Sequence, residues 1–361
     1  MKREPVLFDD GKKRNWGCLL VLALLILLVL AAAFLSAAMN AHPGKTHEKV
    51  LIPGLPKAAQ GLKILHISDL HGRMFGENQQ RLVKLLEDEN YHAVCLTGDM
   101  LGKNGETAAL LTLIRRLPHD VPVYLIPGDE DVPALSAKPR PDASPLSPWV
   151  LKAVEAGAVY LDAPAKLVFG KAVVWFCPDK LLSTDLEAAK NALEEKKQSL
   201  VNGADADDEA NRAALRAVEY KLDVLNRTAL AKQEMLSGDV YIALSHAPLG
   251  EQSLATIHTS LDGKVSMHNF PGRLSLILAG HLNDGQVRLP GVGALFVPAS
   301  EWTGDGGFLP DNQKLSGVQF VRGVTEYITP GLGASRTYPW WARRRVMNTP
   351  RISLLTLIGD R

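Results

Sequence analysis

Three observations in the sequence predict an α/β fold. Beyond residue 60, short apolar runs alternate with amphipathic stretches, the pattern of strands interleaved with helices. Polar residues rich in Asp and His follow directly on several of those runs, where open α/β sheets place their sites. Ahead of both lies an uncharged stretch at residues 16–39, rich in Leu, Val and Ala, which stands apart from the rest.

Taken in order, strands are expected at 63–68, 93–97, 121–126, 173–176, 240–245 and 274–279, and helices at 78–89, 106–117 and 148–156. Shorter strand-like pieces follow at 286–289, 318–321, 326–329 and 352–357. The first half reads as βαβαβ, whose crossovers imply a partly parallel sheet. The second half has few helices and is expected to pair mainly antiparallel. From about 183 to 236 the texture changes to Ala, Leu, Glu, Lys and Arg, interrupted at Asn202-Gly203 and by Asp205, Asp207 and Asp208. Leu215, Val218, Leu222 and Leu225 recur at spacings of three and four, so this insertion is expected to be a helical hairpin with one buried face. It reads as packing on the body, as a cap over a site or as a partner-binding arm.

The chain has 361 residues, with 40 Lys plus Arg against 39 Asp plus Glu. A formal charge of +1 excludes a strongly basic nucleic-acid binder, and no nucleic-acid binding is expected. Cys18, Cys95 and Cys177 are too few and too scattered for a disulfide framework and read as buried or apolar thiols. At about 1.5 Å per residue, the 16–39 segment makes roughly 36 Å of helix, enough to cross a hydrocarbon layer of about 30 Å. Lys2, Arg3, Lys12, Lys13 and Arg14 precede it, and Lys45, Lys49 and Lys57 follow. That excess favours a cytoplasmic tip at 1–15, a span at 16–39, a linker at 40–60 and an extracytoplasmic domain at 61–361. The alternative is export after signal cleavage at the small-residue cluster Ser36-Ala37-Ala38.

The chemistry concentrates in five segments: Ser68-Asp69-Leu70-His71, Gly98-Asp99, Gly128-Asp129-Glu130-Asp131, Ser245-His246 and Gly280-His281-Leu282-Asn283-Asp284. A lone Asp after a strand is most often a turn or cap residue. Five such segments in order, each ending an apolar run, point instead to one crevice. Carboxylates and imidazoles without thiolates suit Mn, Fe or Zn. Two such ions about 3.5–4 Å apart would suit phosphoester hydrolysis.

These residues resemble the pattern of the calcineurin-like metallophosphoesterases: D-x-H, G-D, G-N-H-D/E, a lone H, then G-H-x-H. The resemblance runs over about 60–358 outside the insertion and is nearest the membrane-associated or exported bacterial branch, through Asp284-Gly285-Gln286 and Tyr327-Ile328-Thr329-Pro330-Gly331-Leu332-Gly333. It implies a two-sheet β-sandwich flanked by helices, in four layers α/β/β/α, with a divalent metal pair (Mn, Fe or Zn) at one edge. It also implies that Asp69 and His71 bind the first metal, that Asp99 bridges, and that His246 and His281 bind the second. A hydroxide held by the metals would attack the phosphorus of a phosphomonoester, phosphodiester or pyrophosphate. Three positions depart from the pattern. Asp129 stands for Asn and can still ligate. Glu130 stands for the His that holds phosphate or protonates the leaving group, and could act as an acid only with a raised pKa. Asn283 stands for the second His and offers a neutral oxygen. Two readings follow: an active metal-dependent phosphoesterase, or a degenerate relative that binds metal or a phosphorylated ligand with little turnover.

Tyr338-Pro339-Trp340-Trp341 with Arg343-Arg344-Arg345 reads either as a packed loop with a basic edge or as a surface for lipid headgroups. With the span, the second option suggests a lipid-linked substrate. His258 and His268 fit no ligand spacing and are expected in solvated loops.

Overall fold

The structure is a computed structural model that describes residues 16–136, 138–140, 144–203, 208–257, 270–297, 300, 303–304, 306–310 and 314–360. The basic tip, Asp205, Asp207, His258 and His268 lie outside the described residues.

Two six-stranded sheets form the body. The first has the order β1-β16-β2-β3-β4-β5 and comprises β1 (Gly44–Ile52), β2 (Lys63–Ile67), β3 (Ala93–Thr97), β4 (Val123–Ile126), β5 (Ala158–Tyr160) and β16 (Arg351–Gly359). The second has the order β14-β15-β9-β8-β7-β6 and comprises β6 (Ala165–Phe169), β7 (Ala172–Pro178), β8 (Val240–Leu244), β9 (Leu274–Ala279), β14 (Gly317–Val321) and β15 (Val324–Ile328). Between β9 and β14 lie two small ribbons, β10 (Arg288–Leu289) with β11 (Gly293–Ala294) and β12 (Phe296–Val297) with β13 (Gly307–Phe308). The helices are α1 (Trp16–Ala41), α2 (Gln80–Leu86), α3 (Ala108–Arg116), α4 (Pro148–Glu155), α5 (Leu186–Asn202), α6 (Glu209–Glu234) and α7 (Glu251–Ile257).

Both faces of the central strands are covered, which is why those strands read as unbroken apolar runs. Along β2, Ile64 packs between the sheets while Leu65 packs under α2 and α3; Cys95 and Leu96 of β3 divide the same way. On the outer face of the second sheet, Trp175, Tyr241 and Ile277 pack with Leu254 of α7 and Met235. The result is the expected four-layer α/β/β/α order.

Three expectations are revised. The second sheet is mainly parallel: β7, β8, β9 and β15 run side by side in one direction, and only its edge pairs are antiparallel. Long excursions separate these strands, α5 and α6 between β7 and β8, α7 between β8 and β9, and the two ribbons with β14 between β9 and β15, and a long crossover returns the chain parallel. Residues 44–52, inside the stretch taken as a linker, form the edge strand β1, with Val50 and Ile52 buried between the sheets. Its alternating exposure gives only half an apolar pattern, so sequence alone passes it over. At 286–289 only Arg288–Leu289 forms a strand, because Gln286 takes a positive φ at the end of the site loop.

The insertion is a helical hairpin. Asn211 Nδ2 donates to Leu200 O and Lys197 pairs with Glu219, which sets α5 and α6 antiparallel. Asp185 and Asp208 cap the two N-termini. Val218, Leu222 and Leu225 are buried, with Ala213 and Ala217 on the same face. Among the described residues, one helix, Gly17–Ala41, is long and apolar enough to cross a membrane. Its last turns touch the body: Asn40 Nδ2 and Ser36 Oγ donate to Arg345 O, and Arg73 Nη2 donates to Asn40 O.

Candidate metal centre

The five motif segments meet at the C-terminal ends of β2, β3, β4, β8 and β9, where each loop leaves its sheet. Asp69, His71, Asp99, His281 and Asn283 all hold positive φ, between 47° and 71°. Asp, Asn and His tolerate that region better than other residues, and clustered strain of this kind marks functional sites. The turns aim the side chains inward and are held by their neighbours: Asp69 N–H donates to Gly98 O and His71 N–H to Asp99 O. Glycine is required where the loops touch. A Cβ on Gly98, at φ +87°, would lie 2.6 Å from both Gly128 Cα and His246 Nδ1. One on Gly280 would lie 1.9 Å from Ser68 Oγ.

Two clusters result. Asp69, His71 and Asp99 form one; Asp99, Asp129, His246 and His281 form the other, and within each the donor atoms lie within 4.8 Å of one another. Asp99 belongs to both. Its Oδ1 accepts from Glu130 N–H, while Oδ2 lies 3.8 Å from His71 Nε2 and 3.4 Å from His246 Nε2. Asp69 Oδ2 accepts from Ser68 Oγ and His281 N–H. His246 Nδ1 donates to Thr97 O, which turns Nε2 toward the cluster, the tautomer a metal-bound imidazole takes.

The donor set fits divalent ions. Both ring nitrogens of His71 are buried without a hydrogen-bond partner, yet Nε2 lies 3.8–3.9 Å from two carboxylates, beyond hydrogen-bond range. The second cluster shows strong mutual electrostatics. Burial works against the charge on His246 and His281, but bonds to Asp129 and Asp99 outweigh it at His246 and the bond to Asp129 outweighs it at His281, raising both imidazole pKa values. Those same imidazoles hold the Asp129 carboxyl well below the usual carboxylate range. Burial raises that of Asp99.

Two of the eight expected residues take other parts. Asn283 sits behind the first cluster, fully buried, but its Oδ1 accepts from Arg345 Nη1 at 3.3 Å and its Nδ2 faces Asp69 Oδ1 at 3.4 Å. A guanidinium can only donate, so the amide oxygen is held on the far side and the amide presents hydrogens where a ligand would present a lone pair. The neighbouring Asp284 is also spent elsewhere, on Arg288 and Ser316. Glu130 is not poised as an acid. Its carboxylate accepts from Ser335 Oγ, Arg336 N–H, Arg336 Nε and Thr337 N–H. Burial favours its neutral form, but Ser335, the charge of His71 and Arg336 prevail and keep its pKa below the ordinary value.

Several supporting residues escape a sequence reading. Asp131 accepts from the N–H groups of Met100, Leu101 and Gly128 and so braces two site loops. Gly333 N–H donates to Asp69 O and Leu332 N–H to Ser68 O, which explains the Gly331-Leu332-Gly333 segment. Arg345 is 3% exposed, not part of a basic edge. Burial pushes its pKa down to about 10, against Asp284 and Asp69, so it stays a cation at neutral pH. In the aromatic run, Tyr338 is buried and Trp341 stacks on Phe308, whereas Trp340 is 80% exposed.

With this geometry in hand, the chain belongs to the calcineurin-like phosphoesterase family, whose model matches residues 62–284. Membership makes it a metal-dependent hydrolase of phosphoester bonds. Among solved structures it is similar to the phosphopantetheinyl hydrolase of Mycobacterium tuberculosis, at 13% identity and a TM-score of 0.38, over 84% of this chain and 98% of that one. No curated protein matches it.

Proposed function

We propose that the protein is a membrane-anchored phosphoesterase that holds two divalent ions, of the Mn, Fe or Zn type, in the two clusters. The observation that carries this reading is the Asp99 carboxylate, whose Oδ2 faces both groups of donors. Bound ions would supply Lewis-acid polarisation of phosphoryl oxygens and a nucleophile at neutral pH. The chain supplies the rest. Asp69 and His71 would hold the first ion with Asp99; Asp129, His246 and His281 would hold the second. Ser68 and the His281 N–H orient Asp69, and Thr97 O orients His246. No ionisable side chain takes the leaving-group role that Glu130 leaves open among the described site residues, so esters of good leaving groups are the expected substrates.

Anchoring is supported by the packing of α1. Ser36 is buried against the body and Asn40 bonds Arg345, so cleavage at Ser36-Ala37-Ala38 would cut a helix that continues to Ala41 and strip contacts from the body. The basic residues before the span favour an extracytoplasmic domain. A lipid-linked phosphoester is supported by a groove of about 660 Å³ between α1 and the body, with Leu28, Ala32 and Ala33 on one wall and Arg73, Arg343 and Arg344 on the other. Trp340, three residues before Arg343, is exposed.

The test is metal content and turnover of the detergent-solubilised full chain loaded with Mn, on p-nitrophenyl phosphate and bis-p-nitrophenyl phosphate. Two equivalents of metal and a loss of at least about 10³-fold in Asp99→Asn are expected, the scale of removing a key electrostatic stabiliser. No hydrolysis with any divalent metal would overturn the reading.

A further inference from the structure

We infer that the helical hairpin completes a second anion subsite beside the metal clusters, so that the preferred substrate carries a phosphate or carboxylate in addition to the phosphoryl group that reacts. The inference deepens the phosphoesterase reading and rests on it for the position of the reacting group.

A cleft of about 860 Å³ opens beside Asp129, His246 and His281. The strand ends that carry the metal donors form part of its lining. Lys180, just beyond β7, and Lys221, on α6 of the insertion, line it as well. Elsewhere around the hairpin, Lys166 pairs with Glu234 and Lys197 with Glu219. Among the described residues, Lys180 and Lys221 form no salt bridge, although the charge of Lys180 acts on the neighbouring Asp179 carboxyl. The two other carboxylates lining the cleft are already occupied. Asp179 accepts from Ser245 Oγ and the Lys180 N–H. Asp162 accepts from Arg227 Nη1 and Nη2, at 2.9 and 3.1 Å, and from Tyr220 Oη. The cleft therefore carries two ammonium groups, Lys180 beside the Asp179 carboxyl and Lys221 on the hairpin, where a partly enclosed surface focuses their field.

The position of Lys221 is set by the fold. Tyr220 and Arg227 clamp α6 to Asp162 at the end of β5, and Val218 and Leu222 are buried beneath it. Without the insertion this wall would be missing and only Lys180 would remain. On this inference the hairpin packs on the body and in doing so walls the site.

The experiment measures binding of non-hydrolysable phosphonates to the Mn-loaded full chain by calorimetry, so it reads the subsite without turnover. Methylphosphonate reports the metal site alone; a series from methylene- to pentamethylene-bisphosphonate reports the distal anion at increasing reach. At least one bisphosphonate is expected to bind tenfold or more tightly than methylphosphonate. The double variant Lys180→Ala/Lys221→Ala should lose that excess and keep methylphosphonate affinity within twofold, which also verifies its fold. Lys221→Arg should retain most of the excess. The inference is overturned if no member of the series outbinds methylphosphonate, or if the excess survives in the double variant and the lysines are merely solvated. Failure of the phosphoesterase reading would look different: no turnover of any ester by the wild type, whatever the phosphonates do.

Discussion

Replacing Arg345 by Met should destabilise the protein more than any other change in the arginine triplet. Met keeps an unbranched apolar stem but removes all the donors. In the structure Arg345 donates to Asn283 Oδ1, Gly333 O, Pro330 O, Asn348 Oδ1 and Asn348 O. The Pro330 and Gly333 carbonyls belong to the segment that braces Asp69, and with the residue 3% exposed no bulk water can replace the lost donors. Breaking a buried, charged network from one side costs about 3–5 kcal/mol. For a domain of this size that is a fall in melting temperature of roughly 6–12 °C. Arg344→Met is the control: Arg344 is exposed and its loss should stay within about 0.5 kcal/mol. Thermal unfolding of the metal-free full chain in detergent, with both variants side by side, gives the answer. Equal melting temperatures for the two variants would refute the role assigned to Arg345.

Two further predictions concern titration. Glu130 has a depressed pKa in the fold, so its contribution is present above the ordinary value of 4.5 and is lost as pH falls below it toward the folded value. Glu130→Gln should therefore cost about 1.5–3 kcal/mol at pH 7, with a gap from wild type that narrows in melts below about pH 4.5; a gap independent of pH would contradict the ionised carboxylate. For His246 and His281 the sign is opposite. Their folded pKa values are raised, so in the metal-free protein their stabilisation is complete below 6.5 and fades as pH rises through the folded values. A metal must displace those protons, so Mn affinity measured by calorimetry should rise with pH, about tenfold per unit for each proton released. A flat affinity between pH 6 and 8 would exclude that competition.

Much of the site was legible because metal chemistry uses few residue types and a strand end places them. Asp69, His71, Asp99, Asp129, His246 and His281 stand where apolar runs stop, and they do converge. Asn283 and Glu130 were legible as departures from the family pattern, but not in their consequences. Whether an amide offers oxygen or hydrogen depends on what lies behind it, and here that is a guanidinium 62 residues further along the chain. Whether a Glu in a site is acid or anchor depends on the donors around it, and Ser335 and Arg336 come from a loop 205 residues or more away.

By itself the sequence determined the α/β class, the uncharged N-terminal span, the ordered motifs and the amphipathic hairpin, because each rests on local periodicity or local chemistry. Only the tertiary structure decided that β1 joins the sheet, that the second sheet is mainly parallel, that Arg345 lies buried beneath Asn283, and that Lys221 reaches the cleft. Those outcomes depend on which distant segments pack together, and a linear pattern carries no record of that.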